Sequence, residues 1–184
     1  MRKKFIPVAT TIIVTLGLGA IAFVYTGAYN VAASVPHWDW VYQMIDTMRI
    51  QSIKAHAAGI QTPPGLDADE KVVMGTDHYA AHCAVCHGAP GVPKGEIAKG
   101  LYPEPADLST SAKTYQPNEL FWILKNGIKL SGMPAWSNHG DEELWATVAF
   151  LLRLQNMTEE DYGKLVMAAM TAQGNHRHGT PSGQ

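Results

Sequence analysis

Cys83-Ala84-Val85-Cys86-His87 is the stretch that decides the fold, and it holds both cysteines of the 184-residue chain. Two cysteines in a chain of this length exclude a small secreted scaffold held together by several disulfides. A structural zinc site needs four ligands, usually with a second Cys or His pair at short spacing, and a redox-active C-x-x-C pair accompanies a strand–helix–strand pattern. The surrounding sequence shows neither pattern, so the two thiols and the histidine need another explanation.

The motif C-x-x-C-H is typical of the covalent attachment of a c-type haem. Two thiols three positions apart on one helical turn can each add to a haem vinyl group, and the adjacent histidine then directs its imidazole toward the iron. The motif occurs once. We therefore expect one haem c per chain, attached through Cys83 and Cys86, with His87 as the proximal iron ligand.

The second axial ligand is sought among eight methionines. Met133 lies in a loop between two helices, where Gly132 lets the backbone approach the macrocycle and Pro134 keeps the loop extended. Met74 precedes the attachment motif on the same helix, which is hard to reconcile with the opposite haem face. The others follow helical patterns and are interpreted as packing residues: Met44, Met48, Met157, Met167 and Met170. We predict Met133 as the distal ligand.

Three histidines are the rival iron ligands. His78 and His82 precede the motif on one helix and are expected to face solvent. His139 follows Met133 at the start of the next helix and is the weaker competitor.

The N-terminal segment, residues 1–33, combines a basic tip with an uncharged run from Phe5 to Tyr25. At about 1.5 Å per residue, a helix of this length spans roughly the 30 Å hydrocarbon core of a bilayer. The basic residues before it predict a cytoplasmic N-terminus and an exported remainder. The alternative is a signal peptide cleaved after Val31-Ala32-Ala33, and this also exports the remainder.

The rest of the chain divides into three segments. Residues 34–66 are predicted to hold an amphipathic helix over 38–56 and a linker rich in proline and glycine. That helix either lies on the membrane or a partner, or packs on its own domain. Residues 67–173 are predicted as an all-α domain with a C-terminal helical extension, and residues 174–184 as a disordered tail.

Helix starts and breaks inside the domain are marked by single residues. A capping box of Asp67 and Glu70 predicts a helix that runs to about His82. Residues 88–113 are dense in glycine and proline and predict a long wrapping loop. Later helices are predicted from Pro117 to a stop at Gly127, from Asp141, and from a Thr158 cap.

The segment from Asp67 to Met157 resembles the class I monohaem cytochromes c of bacterial membrane-anchored type. The resemblance is carried by Gly75-x3-Tyr79-x3-Cys83-x2-Cys86-His87, by Gly132-Met133-Pro134 and by the helices 120–127 and 142–154. It implies a cytochrome c fold of short helices wrapped around one covalently bound haem, with His87 and Met133 on the iron. It also implies that Trp145 and Ala149 meet the first helix, and that Pro90 or Pro93 supplies the carbonyl that orients His87.

An iron closed by His87 and Met133 has no position for a substrate, so the resemblance implies an electron carrier rather than an enzyme. We expect it to be tethered to the periplasmic face of the inner membrane, between a dehydrogenase or respiratory complex and an oxidase or soluble carrier. The alternatives are a haem subunit fixed in a larger oxidoreductase complex, and a haem enzyme or gas sensor with a labile methionine. A net charge of −2 argues against a nucleic-acid partner.

Overall fold

The computed structural model describes residues 5–178, and the surroundings of side chains within 8–172. These residues form nine α-helices and no β-strand, which confirms the all-α prediction. The helices are α1 Phe5–Thr26, α2 Asp39–Ala57, α3 Asp69–His78, α4 Ala84–His87, α5 Glu96–Lys99, α6 Leu108–Ser111, α7 Pro117–Asn126, α8 Asp141–Leu154 and α9 Glu159–His178. A π-helical turn, Tyr79–Cys83, joins α3 to α4, and a 3₁₀ turn, Ala112–Thr114, follows α6.

The chain separates into two compact units, residues 1–37 and residues 38–184. The first unit is dominated by α1, whose side chains from Val8 to Thr26 are all exposed. Among the described helices, α1 alone is long and apolar enough to cross a membrane. A signal sequence near the N-terminus meets the same criterion, so the structure agrees with an anchor and with a cleaved signal peptide.

The core of the second unit forms where α3 crosses α8. A Cβ placed on Gly75 would lie 1.9 Å from the Ala146 carbonyl oxygen, so this crossing requires glycine. One turn later the ring of Tyr79 packs 4.7 Å from that of Phe150, and both are fully buried. The family resemblance implied that Trp145 and Ala149 would be the residues of α8 that contact α3. Gly75 instead meets Ala146, and the Tyr79 ring packs on Phe150, each one position further along α8 than expected.

Trp145 packs on a different helix. Its ring stacks on that of Phe121 in α7, with the ring centroids 4.3 Å apart and an angle of 13° between the planes. Helix α7 begins at Pro117 as predicted, and Gln116 and Glu119 form a capping box in front of it. The helix ends at Gly127, also as predicted. The helix that precedes the Met133 loop is thereby fixed at both ends and against α8.

The capping prediction for α3 is wrong. The helix starts at Asp69 after Ala68, and no side chain caps it. The Asp67 carbonyl instead accepts a hydrogen bond of 3.2 Å from Nη2 of Arg153, which draws Asp67 toward α8.

Helix α9 is capped as predicted, since Thr158 Oγ1 accepts from the Asp161 amide at 3.1 Å. It continues to His178, into the segment 174–184 for which we predicted disorder. The remaining residues of that tail, 179–184, lie outside the described residues.

Helix α2 has the position predicted for the amphipathic helix and divides into two halves. Its C-terminal half packs on the domain through Ile53 and Ala57, both buried. The Asn118 side chain donates to the Ala57 carbonyl at 2.9 Å, and Arg49 donates to the Tyr115 hydroxyl. The N-terminal half leaves large apolar side chains exposed: Trp38, Trp40, Tyr42, Met44 and Met48.

Candidate haem site

The two cysteines stand on successive helical turns. Cys83 ends the π-helical turn and is buried, whereas Cys86 lies in α4 and is half-buried; both are free thiols. Burial raises the pKa of the Cys83 thiol to about 12, and the neighbouring Cys86 adds to the shift. A disulfide oxidoreductase needs a thiolate nucleophile with a lowered pKa. Cys83 has the opposite property, so the pair does not suit disulfide exchange.

His87 closes α4 with its imidazole in a defined tautomer. Nδ1 donates to the carbonyl oxygen of Ala106 at 2.8 Å, which leaves the lone pair on Nε2. Burial lowers the pKa of His87 and outweighs the hydrogen bond to Ala106, which raises it. The ring is therefore neutral at neutral pH, with Nε2 available to a metal.

The carbonyl that orients His87 belongs to Ala106, so the expectation of Pro90 or Pro93 is wrong. The segment 104–106 is held by Lys94, whose ammonium donates to the Pro105 carbonyl at 2.6 Å and to Glu104 at 2.7 Å. No local sequence pattern predicts this clamp, because Lys94 and Pro105 are brought together only by the course of the loop.

Asp107, the residue after Ala106, fixes the start of α6. Its carboxylate accepts from the Ser109 amide at 2.9 Å and caps α6. The Ser109 hydrogen bonds also lower the pKa of Asp107. An aspartate two residues before a serine amide is a recognisable helix start, and this signal could have located α6 in the sequence.

The turn after His87 is fixed from the other side by Tyr79. The Tyr79 hydroxyl is buried and donates to the Gly88 carbonyl at 2.6 Å. Gly88 has φ of +70°, and a Cβ there would lie 2.9 Å from the Val92 carbonyl oxygen. The C-x-x-C-H motif is thus held between Tyr79, the Gly88 turn and the loop segment at Ala106.

Met133 is half-buried and packs against the hydrophobic core. Its carbonyl accepts from the Ile128 amide at 3.2 Å, and the Trp136 amide donates to the Leu124 carbonyl at 3.1 Å. The Met133 amide donates to Ser131 Oγ at 3.2 Å. Backbone hydrogen bonds on both sides of Met133 therefore tie the loop to the end of α7.

Gly127 makes this attachment possible. It has φ of +65° and ψ of −171°, a conformation that is essentially limited to glycine. A Cβ at this position would lie 2.6 Å from the Pro134 carbonyl carbon and 2.8 Å from the Met133 carbonyl oxygen. The Met133 loop lies directly against the space that a side chain would fill.

Six other methionines lie among the described residues. Five are exposed on helices, namely Met44, Met48, Met74, Met167 and Met170. Met157 does not lie in a helix as predicted; it lies in the short connection between α8 and α9, where it is half-buried and packs against the core.

The rival histidines are placed differently from the expectation. His78 is buried, because it lies in the α3–α8 interface, so the prediction that it faces solvent is wrong. His82 is exposed as predicted, and His139 is half-buried. The three imidazoles gather in one cluster.

The residues present fit a c-type haem. The motif offers two unpaired thiols and a neutral imidazole with its Nε2 lone pair available, and the loop at the end of α7 offers a thioether. Histidine and methionine are the axial ligand pair of electron-transfer cytochromes c.

Comparison with known proteins supports this chemistry. Residues 70–151 match the family model described as "Cytochrome C oxidase, cbb3-type, subunit III", a match that covers less than half of the chain and includes both the motif and Met133. No curated protein matches the sequence. The predicted resemblance is thereby confirmed. Residues 70–151 are therefore similar to a c-type cytochrome domain, and this similarity supports haem-based electron transfer.

Proposed function

We propose that this chain is a single-haem electron carrier tethered to the periplasmic face of the cytoplasmic membrane. In this proposal one haem is attached by thioether bonds to Cys83 and Cys86, and its iron is bound by His87 and Met133. The observation that carries it is the hydrogen bond from His87 Nδ1 to the Ala106 carbonyl, which presents Nε2 as a ligand atom.

The bound haem supplies a one-electron Fe(II)/Fe(III) couple. Two protein ligands on the iron leave no position for a substrate, so the chain's residues serve to hold the site still. The Ala106 carbonyl fixes the imidazole plane, and the Ile128 and Leu124 backbone groups fix the loop of Met133. A site that keeps its geometry in both oxidation states needs little rearrangement when an electron enters or leaves.

The first experiment tests the iron ligands. The full chain is produced with c-type haem maturation, and haem is counted per chain by pyridine haemochrome and mass spectrometry. We expect one covalently bound haem, and a methionine-to-iron absorption band in the oxidised protein that is lost in Met133→Ala. A band that persists in Met133→Ala would reject Met133, and an open or high-spin iron in the wild type would favour the haem enzyme or gas sensor.

Membrane tethering is supported by the length and composition of α1. Deleting residues 1–33 behind a cleavable export signal should release a soluble red protein, whereas the full chain should sediment with membranes. If the shortened protein also sediments, the exposed apolar half of α2 binds the membrane or a membrane protein by itself.

A second function is favoured by the family match, whose description names a subunit of an oxidase. The chain would then be a fixed haem subunit of a larger oxidoreductase complex. Mild detergent extraction followed by sizing separates the two proposals. A free carrier migrates near the 20.0 kDa of the chain plus its micelle, and a fixed subunit migrates with much larger partners.

A further inference from the structure

Three histidines and a glutamate meet at the junction of α3, the loop before α8, and α8 itself. His78 comes from α3, His82 from the π-helical turn and His139 from the loop. One imidazole nitrogen from each lies within 4.8 Å of the others. None of these residues belongs to the pair proposed to bind the haem iron.

The closest nitrogen pair has the separation of two ligands on one metal ion. His78 Nε2 and His139 Nδ1 are 3.3 Å apart. Two nitrogens bound tetrahedrally at the usual Zn–N length of about 2.0–2.1 Å are separated by about 3.3–3.4 Å. The two nitrogens can therefore bind one zinc ion without a change in the backbone, once the proton that His139 Nδ1 donates to Glu143 Oε2 has left.

Glu143 supplies an oxygen ligand beside them. It stands in the first turn of α8, with Oε2 3.1 Å from His139 Nδ1 and Oε1 3.7 Å from His78 Nε2. Three imidazoles and one carboxylate make a four-ligand set, and imidazole is a ligand that Zn²⁺ binds well.

The orientation of His78 is fixed by an outer hydrogen bond. The Thr147 hydroxyl donates to the Glu143 carbonyl at 2.9 Å, so its oxygen accepts from His78 Nδ1, also at 2.9 Å. This leaves the lone pair of His78 on Nε2, which faces His139. Ligating histidines commonly have such a partner on the second ring nitrogen.

Trp136 covers one side of the cluster. Its ring centroid lies 5.1 Å from that of His82, 5.2 Å from that of His139 and 5.8 Å from that of His78. The indole lies on the same loop as Met133. A cation in this place would cross-link α3, the Met133 loop and α8.

We propose that His78, His82, His139 and Glu143 form a divalent transition-metal site that is distinct from the proposed iron ligands and suited to Zn²⁺. The assignment does not depend on the membrane tether or on the redox partner.

Zinc binding to the haem-loaded full chain in detergent tests the proposal. The protein is treated with a chelator, the chelator is removed, and Zn²⁺ is added in a calorimetric titration. Bound zinc is counted by elemental analysis after dialysis. Covalently attached haem occupies both thiols, so the cysteines cannot provide the zinc ligands in this sample.

Two double variants form a matched pair. His82→Ala/His139→Ala removes two proposed ligands that are exposed or half-buried, and His176→Ala/His178→Ala removes two histidines near the C-terminal end of α9. Glu143→Gln tests the carboxylate alone. The haem spectrum of each variant reports whether the domain is folded.

We expect one zinc per chain in the wild type and in the α9 variant. Zinc affinity should fall at least about 100-fold in His82→Ala/His139→Ala, since losing even an outer partner of a metal ligand costs about 10- to 100-fold. Zinc-edge X-ray absorption should show four nitrogen and oxygen ligands at about 2.0–2.1 Å. The proposal fails if the wild type retains no zinc, or if His82→Ala/His139→Ala binds it as tightly as the wild type.

Discussion

Replacing Gly127 by alanine tests the link between one backbone position and Met133, the proposed iron ligand. The added Cβ would lie 2.6 Å from the Pro134 carbonyl carbon, 2.7 Å from the Ala135 nitrogen and 2.8 Å from the Met133 carbonyl oxygen. All three neighbours are backbone atoms, so no side-chain rotation can make room. The loop must recede by at least about 0.8 Å to bring the nearest pair to an ordinary separation.

Two costs add up in this variant. Alanine in the backbone conformation of Gly127 costs about 1–3 kcal/mol, and forcing an atom into a packed site costs about 1–3 kcal/mol. We therefore expect the free energy of unfolding to fall by about 2–6 kcal/mol, a large part of the 5–15 kcal/mol typical of a domain. Because the loop recedes with Met133, we also expect a weakened methionine-to-iron band and a lower reduction potential.

The assay combines chemical denaturation with visible spectroscopy and a redox titration on the oxidised protein. Gly163→Ala is the matched control, because this glycine lies inside α9 and a Cβ added there would meet no atom within 4 Å. Alanine there should stabilise the helix by about 0.5–1 kcal/mol and leave the spectrum unchanged. Wild-type stability, band and potential in Gly127→Ala would refute the reasoning, as would equal losses in both variants.

Three further predictions concern residues that stabilise the folded domain. Gly75→Ala should lower the free energy of unfolding by at least about 3 kcal/mol, because its Cβ would collide with the Ala146 backbone; denaturant titration measures it. Tyr79→Phe should cost about 1–3 kcal/mol in the same assay, because the buried Gly88 carbonyl loses its donor. Asp107→Ala should cost about 0.5–2 kcal/mol at pH 7. The Asp107 carboxyl has a pKa lowered from 3.8, so its contribution is complete above that pH, and the difference from wild type should vanish as pH falls through the lowered value in a pH series of unfolding curves.

Local patterns were sufficient wherever a residue acts through its own neighbours in sequence. Pro117 and Gly127 delimit α7, and Thr158 caps α9, because helix signals depend on the nearest backbone groups. The Asp67–Glu70 box failed for a tertiary reason, since Arg153 of α8 binds the Asp67 carbonyl.

By itself, the sequence determined the chemistry of the motif. Two thiols and an imidazole at C-x-x-C-H spacing predict the haem chemistry without any fold, because adjacent residues on one helical turn must lie together. It also singled out Met133, since a methionine between glycine and proline in a loop differs from the helical methionines around it.

Only the tertiary structure decided which distant groups meet these residues. Ala106 supplies the carbonyl to His87, and His78 turns inward to join His139, although no local pattern links either pair. Both contacts depend on the course of a long loop and on the rotation of α8 against α3. Helix packing decides such long-range contacts. A rotation of a helix by one residue is enough to move an imidazole from the buried interface to the exposed side.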